Sequence, residues 1–176
     1  LDKKKRWLDG IVITGGEPTA NKDLENLIAE LRSADFKIKL DTNGTKPNVI
    51  EDLVKKNVID YFAVDVKSAF HKYDKACGIV GQSKLVKESI DLIANSKIDH
   101  EFRTTVVPGY TESDDIVEVA KYLADRGASR YVLQQFLPNE VLEKNLESVQ
   151  PYPATLLTQI AEECSKFLPT KTRGCG

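Results

Sequence analysis

Two glycines and a carboxylate follow a short apolar run, residues 11–13, near the start of the chain. Because Gly15 and Gly16 have no side chains, the backbone there can approach a ligand closely and present its N–H and C=O groups. Glu17 adds a carboxylate that can bind an ammonium group, and Pro18 restricts the direction in which the chain continues. The glycine pair is equally compatible with a plain tight turn, and it matches neither a P-loop nor a dinucleotide-binding pattern.

Four later apolar runs carry polar side chains at alternate positions, which places each set on one face of a strand. These positions are Lys39 and Asp41, Asp65 and Lys67, Glu101 with Arg103 and Thr105, and Gln134 or Gln135. Since α/β folds bind ligands at the C-terminal ends of their strands, the pattern predicts a polar ligand there. Buried ion pairs are the alternative interpretation, in which Lys67 pairs with Asp65 and Arg103 pairs with Glu101.

Alternating strands and helices are predicted to position these residues. The predicted strands are 10–14, 37–42, 60–66, 100–107 and 130–136, and the predicted helices are 22–33, 48–56, 83–96, 113–126 and 154–168. This alternation predicts a parallel sheet with right-handed crossovers in one α/β domain over residues 1–176. Polar strand faces favour a partial, open barrel, because a closed eight-stranded barrel is filled with branched apolar side chains.

The composition, with 41% hydrophobic and 30% charged residues, is that of an ordinary globular protein. A net charge of −2 provides no basic surface for nucleic acid or an anionic membrane, and the apolar runs are too short to span a bilayer. Cys77, Cys164 and Cys175 are widely spaced, which favours free thiols in a reducing compartment. We therefore expect a cytoplasmic protein.

Five short segments, in order along the chain, resemble one enzyme family. They are residues 15–18 (GGEP), 41–44 (DTNG), 65–67 (DVK), 103–109 (RTTVVPG) and 131–136 (YVLQQF). The first resembles the GGE motif of radical S-adenosylmethionine enzymes, and the others resemble the glycyl-radical-enzyme activases of that superfamily. These activases include the pyruvate formate-lyase activating enzymes and, with the stronger resemblance, the anaerobic ribonucleoside-triphosphate reductase activating proteins. The resemblance covers residues 8–174.

This resemblance implies a binding site for S-adenosylmethionine. The positions that match the contacts to the amino group of the methionine moiety are Gly15, Gly16 and Glu17. Those that match the contacts to its carboxylate and to the ribose are Asp41, Thr42, Asp65 and Lys67. Arg103 matches an arginine that lies close to the cofactor. A zwitterionic ligand requires carboxylates at one end and Lys or Arg at the other, and this set supplies both.

A monovalent cation, Na⁺ or K⁺, is also expected beside the cofactor's carboxylate, held by Asp41, Thr42 and Asp65. The two side-chain carboxylates and that of the ligand would bring three negative charges together, of which Lys67 neutralises one. Two like charges ~4 Å apart repel by about 4 kcal/mol at an effective dielectric of about 20. Either a carboxyl pKa rises or a hard cation binds to the oxygens. The alternative is an Asp65–Lys67 pair, with Asp41 capping the turn at residues 42–44.

This sequence contains no cysteines that match the cluster-binding motif of the family. Such enzymes hold a 4Fe–4S cluster on a CxxxCxxC loop before the GGE strand, whereas the nearest cysteines here, Cys164 and Cys175, lie eleven residues apart. The chain also contains no methionine, not even at position 1. We therefore expect a fragment that lacks the first barrel strand and the cluster loop, and that is inactive by itself.

The resemblance implies an activity for the full-length parent. Its reduced cluster would cleave S-adenosylmethionine into methionine and a 5′-deoxyadenosyl radical. That radical would abstract hydrogen from a glycine of a partner enzyme, anaerobic ribonucleoside-triphosphate reductase, with a flavodoxin or ferredoxin as electron donor. The alternatives are a radical enzyme that acts on a small molecule and a ligand-binding module without a cluster.

Overall fold

Six parallel strands form a single sheet in the computed structural model, which describes residues 8–140 and 144–175. The strands are β1 (Gly10–Ile13), β2 (Lys37–Thr42), β3 (Tyr61–Asp65), β4 (Asp99–Val106), β5 (Tyr131–Gln135) and β6 (Thr170–Arg173). Their order in the sheet is their order in the sequence, and each neighbouring pair is parallel. The C-terminal ends of all six strands therefore meet at one edge of the sheet.

Six helices accompany these strands: α1 (Leu24–Ser33), α2 (Pro47–Lys56), α3 (Tyr73–Cys77), α4 (Gln82–Ala94), α5 (Ser113–Ala124) and α6 (Ala154–Cys164). Their apolar stripes join the core beneath one face of the sheet, where Leu40, Phe62 and Phe102 are completely buried. Burying a side chain of this size contributes about 1.5–3 kcal/mol. Because side chains alternate along a strand, the opposite face carries the charged residues of β2, β3 and β4.

Local sequence accounts for where several helices begin and end. Pro47 occupies the first turn of α2, where its missing N–H is not needed, and Asn57 ends that helix in the left-handed conformation. The start of α5 is a capping box. The Glu112 side chain accepts the backbone N–H of Asp115, and the Asp115 side chain accepts the backbone N–H of Glu112. These caps set the positions of the loops between strand ends and helix starts.

The five predicted strands and five predicted helices are all present, and most of their ends lie within two residues of the prediction. α6 ends at Cys164, four residues early, because the chain turns there into β6. Neither α3 nor β6 was predicted. The expected parallel α/β sheet is confirmed, and it is open in the described residues. The expected loss of an earlier barrel strand lies outside the described residues.

No helix in the described part of the chain is both long and apolar enough to cross a membrane.

Candidate functional site

A cavity of about 790 Å³ lies at the C-terminal ends of the strands. Residues that follow β2 and β3 form part of it, the ends of β4 and β5 form the opposite part, and α3 forms a side wall. The side chains that line the cavity include those of Asn43, Lys67, Tyr73, Cys77, Gln82, Gln134 and Gln135. Among the described residues that line the cavity, Lys67 is the one with a charged side chain. The volume of the cavity suits a ligand of the size of a nucleoside derivative.

Glu17 connects the glycine turn after β1 to the end of β2. Its Oε1 accepts hydrogen bonds from the Thr19 N–H at 3.0 Å and from the Thr42 hydroxyl at 2.7 Å. Its Oε2 accepts the N–H of Asn43, again at 2.7 Å. Charge-assisted bonds of this kind are the stronger ones in proteins. The carboxylate that was expected to contact the ligand's amino group therefore also holds two strand ends together.

The glycine turn itself is open toward its surroundings. Gly15 and Gly16 have φ values of +93° and +53°, which residues with a Cβ rarely adopt. No atom from elsewhere in the described chain lies within 4 Å of the point where a Cβ would stand on either residue. Backbone groups at this turn can therefore meet a ligand without interference from side chains.

The turn that follows β2 is fixed by its own hydrogen bonds. The Thr42 hydroxyl accepts the N–H of Gly44 at 3.1 Å, and Ser89 on α4 donates to the carbonyl of Gly44 at 2.7 Å. Gly44 has a φ of +72°, and a Cβ there would stand 3.3 Å from a methyl group of Val64. Glycine is required at this position for both reasons. The turn thus places Asn43 on the cavity wall.

Arg103 neutralises carboxylates on two other strands. Its Nη1 donates to Asp41 at 2.9 Å, and its Nε and Nη2 each lie 2.9 Å from Asp65 Oδ1. Burial would lower the pKa of the guanidinium, but Asp65 and Asp41 outweigh that effect and raise it. Arg103 therefore pairs with Asp41 and Asp65, and not with Glu101 as the ion-pair interpretation had it.

Glu101 is occupied by another arginine. Arg173 on β6 donates to both carboxylate oxygens, at 3.1 and 2.9 Å, and Lys39 approaches at 3.5 Å. Burial raises the pKa of Glu101, but the hydrogen bonds and charge of Arg173 and the charge of Lys39 hold it below its ordinary value. Arg173 thereby ties the last strand of the sheet to β4, across β5.

These ion pairs form one network on the open face of the sheet, hereafter the inner-face network. It consists of Lys39, Asp41, Asp65, Lys67, Glu101, Arg103 and Arg173. Four cations face three carboxylates, so the network carries one excess positive charge. One oxygen in it, Asp41 Oδ1, is buried and has no hydrogen-bond donor among the described residues, although the Lys39 ammonium lies 3.6 Å away.

The sequence-predicted site residues thus fall into two groups. Asp41, Asp65, Lys67 and Arg103 meet in the inner-face network, whereas the Thr42 side chain contacts Glu17 on the other side of β2. In the described residues no three His, Cys, Asp or Glu side chains are grouped as a metal site would require. The monovalent-cation site remains a prediction, but the two carboxylates on which it was argued already share Arg103.

The three cysteines lie in different surroundings. Cys77 is on the cavity wall, Cys164 is in the core under α5, and Cys175 Sγ lies 3.7 Å from Gln135 Oε1. Burial raises the pKa of the Cys77 thiol, and it raises that of Cys164 to about 12. A 4Fe–4S cluster needs several thiolates at one place. The described residues do not fit such a cluster, whereas the open glycine turn and the charged network do fit S-adenosylmethionine.

Tyr73 and Gln82 on the cavity wall were missed by the sequence analysis, which treated Cys77 only as one of three widely spaced free thiols. Tyr73 and Cys77 lie on α3, a helix of five residues that is too short to show helical periodicity, and Gln82 is the first residue of α4, one position before the predicted helix. The tyrosine between two predicted elements was the one available signal.

The chain is similar to known proteins in sequence and in fold. The family model described as the Radical SAM superfamily matches residues 1–133. A Methanocaldococcus jannaschii protein, named as a candidate glycyl-radical enzyme activating enzyme, is 37% identical over 168 residues, which are 92% of this chain and 69% of that protein.

Two solved structures share the fold. A domain of a pyruvate-formate lyase-activating enzyme from Bacteroides vulgatus has a TM-score of 0.75 at 16% identity, over 94% of this chain and 99% of that one. SuiB from Streptococcus suis, bound to S-adenosylmethionine, has a TM-score of 0.74 at 17% identity, over 94% of this chain and 40% of that one.

Proposed function

Because this chain belongs to the radical SAM superfamily, we propose that it forms the cofactor-binding core of an activase that generates a glycyl radical on anaerobic ribonucleoside-triphosphate reductase. The observation that carries this proposal is the open Gly15–Gly16 turn, which Glu17 clamps to the end of β2 beside the cavity. The Methanocaldococcus jannaschii relative, with its name and its 37% identity, supports an activase.

A 4Fe–4S cluster and S-adenosylmethionine supply the radical chemistry of this superfamily, in which reductive cleavage of the cofactor yields a radical that abstracts hydrogen from the substrate. The described residues do not hold the cluster, so their roles here are to bind and orient. The backbone at Gly15 and Gly16 receives the amino group of the methionine moiety, with Glu17 keeping that turn in place. Lys67 and Arg103 stand on the side of the carboxylate and ribose.

The lining of the cavity supports a polypeptide substrate over a charged small molecule. The amides of Asn43, Gln82, Gln134 and Gln135 can donate to peptide carbonyls and accept from peptide N–H groups. An anionic metabolite would find one charged side chain there, that of Lys67. The segment at residues 131–136, whose end lines the cavity, is one of those that resemble the reductase activating proteins. We therefore favour the reductase as partner, with a flavodoxin or ferredoxin as electron donor in the cytoplasm.

The test is electron paramagnetic resonance of the partner. The protein expressed from its native gene is incubated anaerobically with S-adenosylmethionine, a one-electron reductant and the reductase. We expect a glycyl-radical signal in the reductase and none when S-adenosylmethionine is omitted. If the cofactor is cleaved and the reductase stays free of radical, the proposed partner is wrong, and a small-molecule substrate becomes the better hypothesis.

A further inference from the structure

Tyr73 lines the cavity, and its hydroxyl donates no hydrogen bond within the described chain. The side chain lines the cavity wall, although the residue is only 1% exposed. Its oxygen accepts the backbone N–H of Lys67 at 3.2 Å. Within the described chain no acceptor lies at hydrogen-bond distance from the hydroxyl, so its hydrogen is available. Buried tyrosine hydroxyls usually have a partner, and a ligand in the cavity can be that partner.

The ring of Tyr73 is held in one place. It stacks on Phe70, with the ring centroids 5.8 Å apart and the planes inclined by 13°, and Phe70 in turn contacts Tyr122 at 4.3 Å. Burial raises the pKa of Tyr73 well above the usual range of a phenol, so the group stays protonated at neutral pH. The hydroxyl is therefore a fixed, neutral donor that lies next to the backbone N–H of Lys67.

The charges nearby select the acceptor. Lys67 lines the same cavity, and the inner-face network to which it belongs carries one positive charge more than its carboxylates balance. Among the acceptors of S-adenosylmethionine the carboxylate is the one with a full negative charge, and a hydrogen bond to a charged oxygen is the stronger kind.

We propose that Tyr73 donates a hydrogen bond to the carboxylate of S-adenosylmethionine. This inference rests on the cofactor assigned under the proposed function. It adds a binding residue that lies on none of the five motifs.

The experiment measures the dissociation constant of S-adenosylmethionine by calorimetry on the protein expressed from its native gene and on two variants of it. Tyr73→Phe removes the hydroxyl and keeps the ring, and we expect affinity to fall by roughly tenfold or more, the effect of losing a hydrogen bond to a charged group. Tyr131→Phe is the matched control. Tyr131 is as deeply buried, but its hydroxyl already donates to Thr104 at 2.6 Å, so its loss should leave the dissociation constant unchanged.

Decarboxylated S-adenosylmethionine identifies the acceptor. Tyr73→Phe and the unaltered chain should bind this analogue equally well, since the carboxylate is gone. If Tyr73→Phe does not fold, as judged by its thermal unfolding, fluorotyrosine at position 73 replaces it. A more acidic hydroxyl should then tighten binding of S-adenosylmethionine and not that of the analogue.

Two results overturn the inference and leave the proposed function standing: unchanged affinity of Tyr73→Phe for S-adenosylmethionine, or an equal loss for both ligands. If the unaltered chain does not bind S-adenosylmethionine at all, the inference fails together with the cofactor assignment. The radical assay on the reductase separates these cases, because it does not depend on Tyr73.

Discussion

The guanidinium of Arg103 on β4 donates a 2.9 Å hydrogen bond to Asp41 on β2, and so reaches across the strand between them. It also binds Asp65 on that intervening strand. One side chain, 11% exposed, therefore joins three adjacent strands on their open face. Such an arrangement depends on the planar, forked shape of the guanidinium.

Arg103→Lys should lower both stability and affinity for S-adenosylmethionine. A lysine ammonium cannot reach both carboxylates in the same geometry, so one of them loses its partner in a largely buried place. We expect a loss of about 2–4 kcal/mol in the free energy of unfolding, measured with urea. Arg130→Lys, at an exposed position with one long hydrogen bond of 3.4 Å to the Tyr61 hydroxyl, is the control and should change stability by less than about 1 kcal/mol. Equal effects of the two substitutions would contradict the role given to Arg103.

Glu17→Gln should loosen the turn that contains Asn43. The amide keeps one acceptor oxygen but loses the charge, and its NH₂ group meets a donor at one of the two positions. We expect a loss of about 1–3 kcal/mol in the free energy of unfolding and weaker binding of S-adenosylmethionine. Glu25→Gln, on the exposed face of α1, serves as the control. If Glu17→Gln binds the cofactor normally, the clamp between β1 and β2 has no part in binding.

Stability should decrease in acid because of Glu101. Its pKa in the folded chain is below its ordinary value, so its stabilising contribution is complete above the unfolded-state pKa of about 4.3 and is lost as pH falls through the lowered value. Arg173→Gln removes the bidentate partner, and we expect the acid transition of the chain to move to higher pH. Urea unfolding at a series of pH values between 6 and 3 measures this. An identical pH profile in Arg173→Gln would show that the pair does not set the transition.

The inner-face network also makes a prediction about monovalent cations. Because Arg103 is shared by Asp41 and Asp65 and the network has a positive excess, we expect the affinity for S-adenosylmethionine to be the same in sodium and in a bulky tetraalkylammonium salt of equal ionic strength. The cation site inferred from the sequence predicts the opposite: tighter binding in sodium or potassium, and loss of that difference in Asp41→Ala. Calorimetry in the two salts decides between them.

Residues 1–176 alone should not hold a 4Fe–4S cluster after anaerobic reconstitution with iron and sulfide. Cys164 is buried in the core, and the described residues contain no group of three side chains that could hold a metal centre. Iron analysis and absorbance at visible wavelengths test this. One cluster per chain, lost on substitution of these cysteines, would contradict it.

The sequence by itself determined the elements and the edge at which the site lies. The spacing of apolar residues in α1 and α5, and the short apolar runs between helices, are local properties that survive in the folded chain. Because every strand is parallel, the motifs that end β1, β2 and β3 had to meet at the same edge. The family followed from those motifs, since their identity and order are contained in the sequence.

Only the tertiary structure decided the partners of Arg103, whereas the Asp65–Lys67 pair, an alternative drawn from the sequence, is present at 3.1 Å. Sequence proximity suggested Glu101 as the partner of Arg103. The register of the sheet instead places Arg103 opposite Asp65 on β3, and β3 is the one strand that separates Arg103 from Asp41 on β2. The hydrophobic pattern fixes which face of each strand is buried, but a slip of two residues keeps that face unchanged, so the pattern leaves the partner of each charged residue open. The strand β6, with its Arg173, and the short α3, with Tyr73, were equally hidden, because four or five residues carry too little periodicity. The position of β6 depends on its pairing with β5 and on the bond from Arg173 to Glu101, 72 positions away, and that of α3 depends on its packing against α4. Those contacts form only when the chain folds.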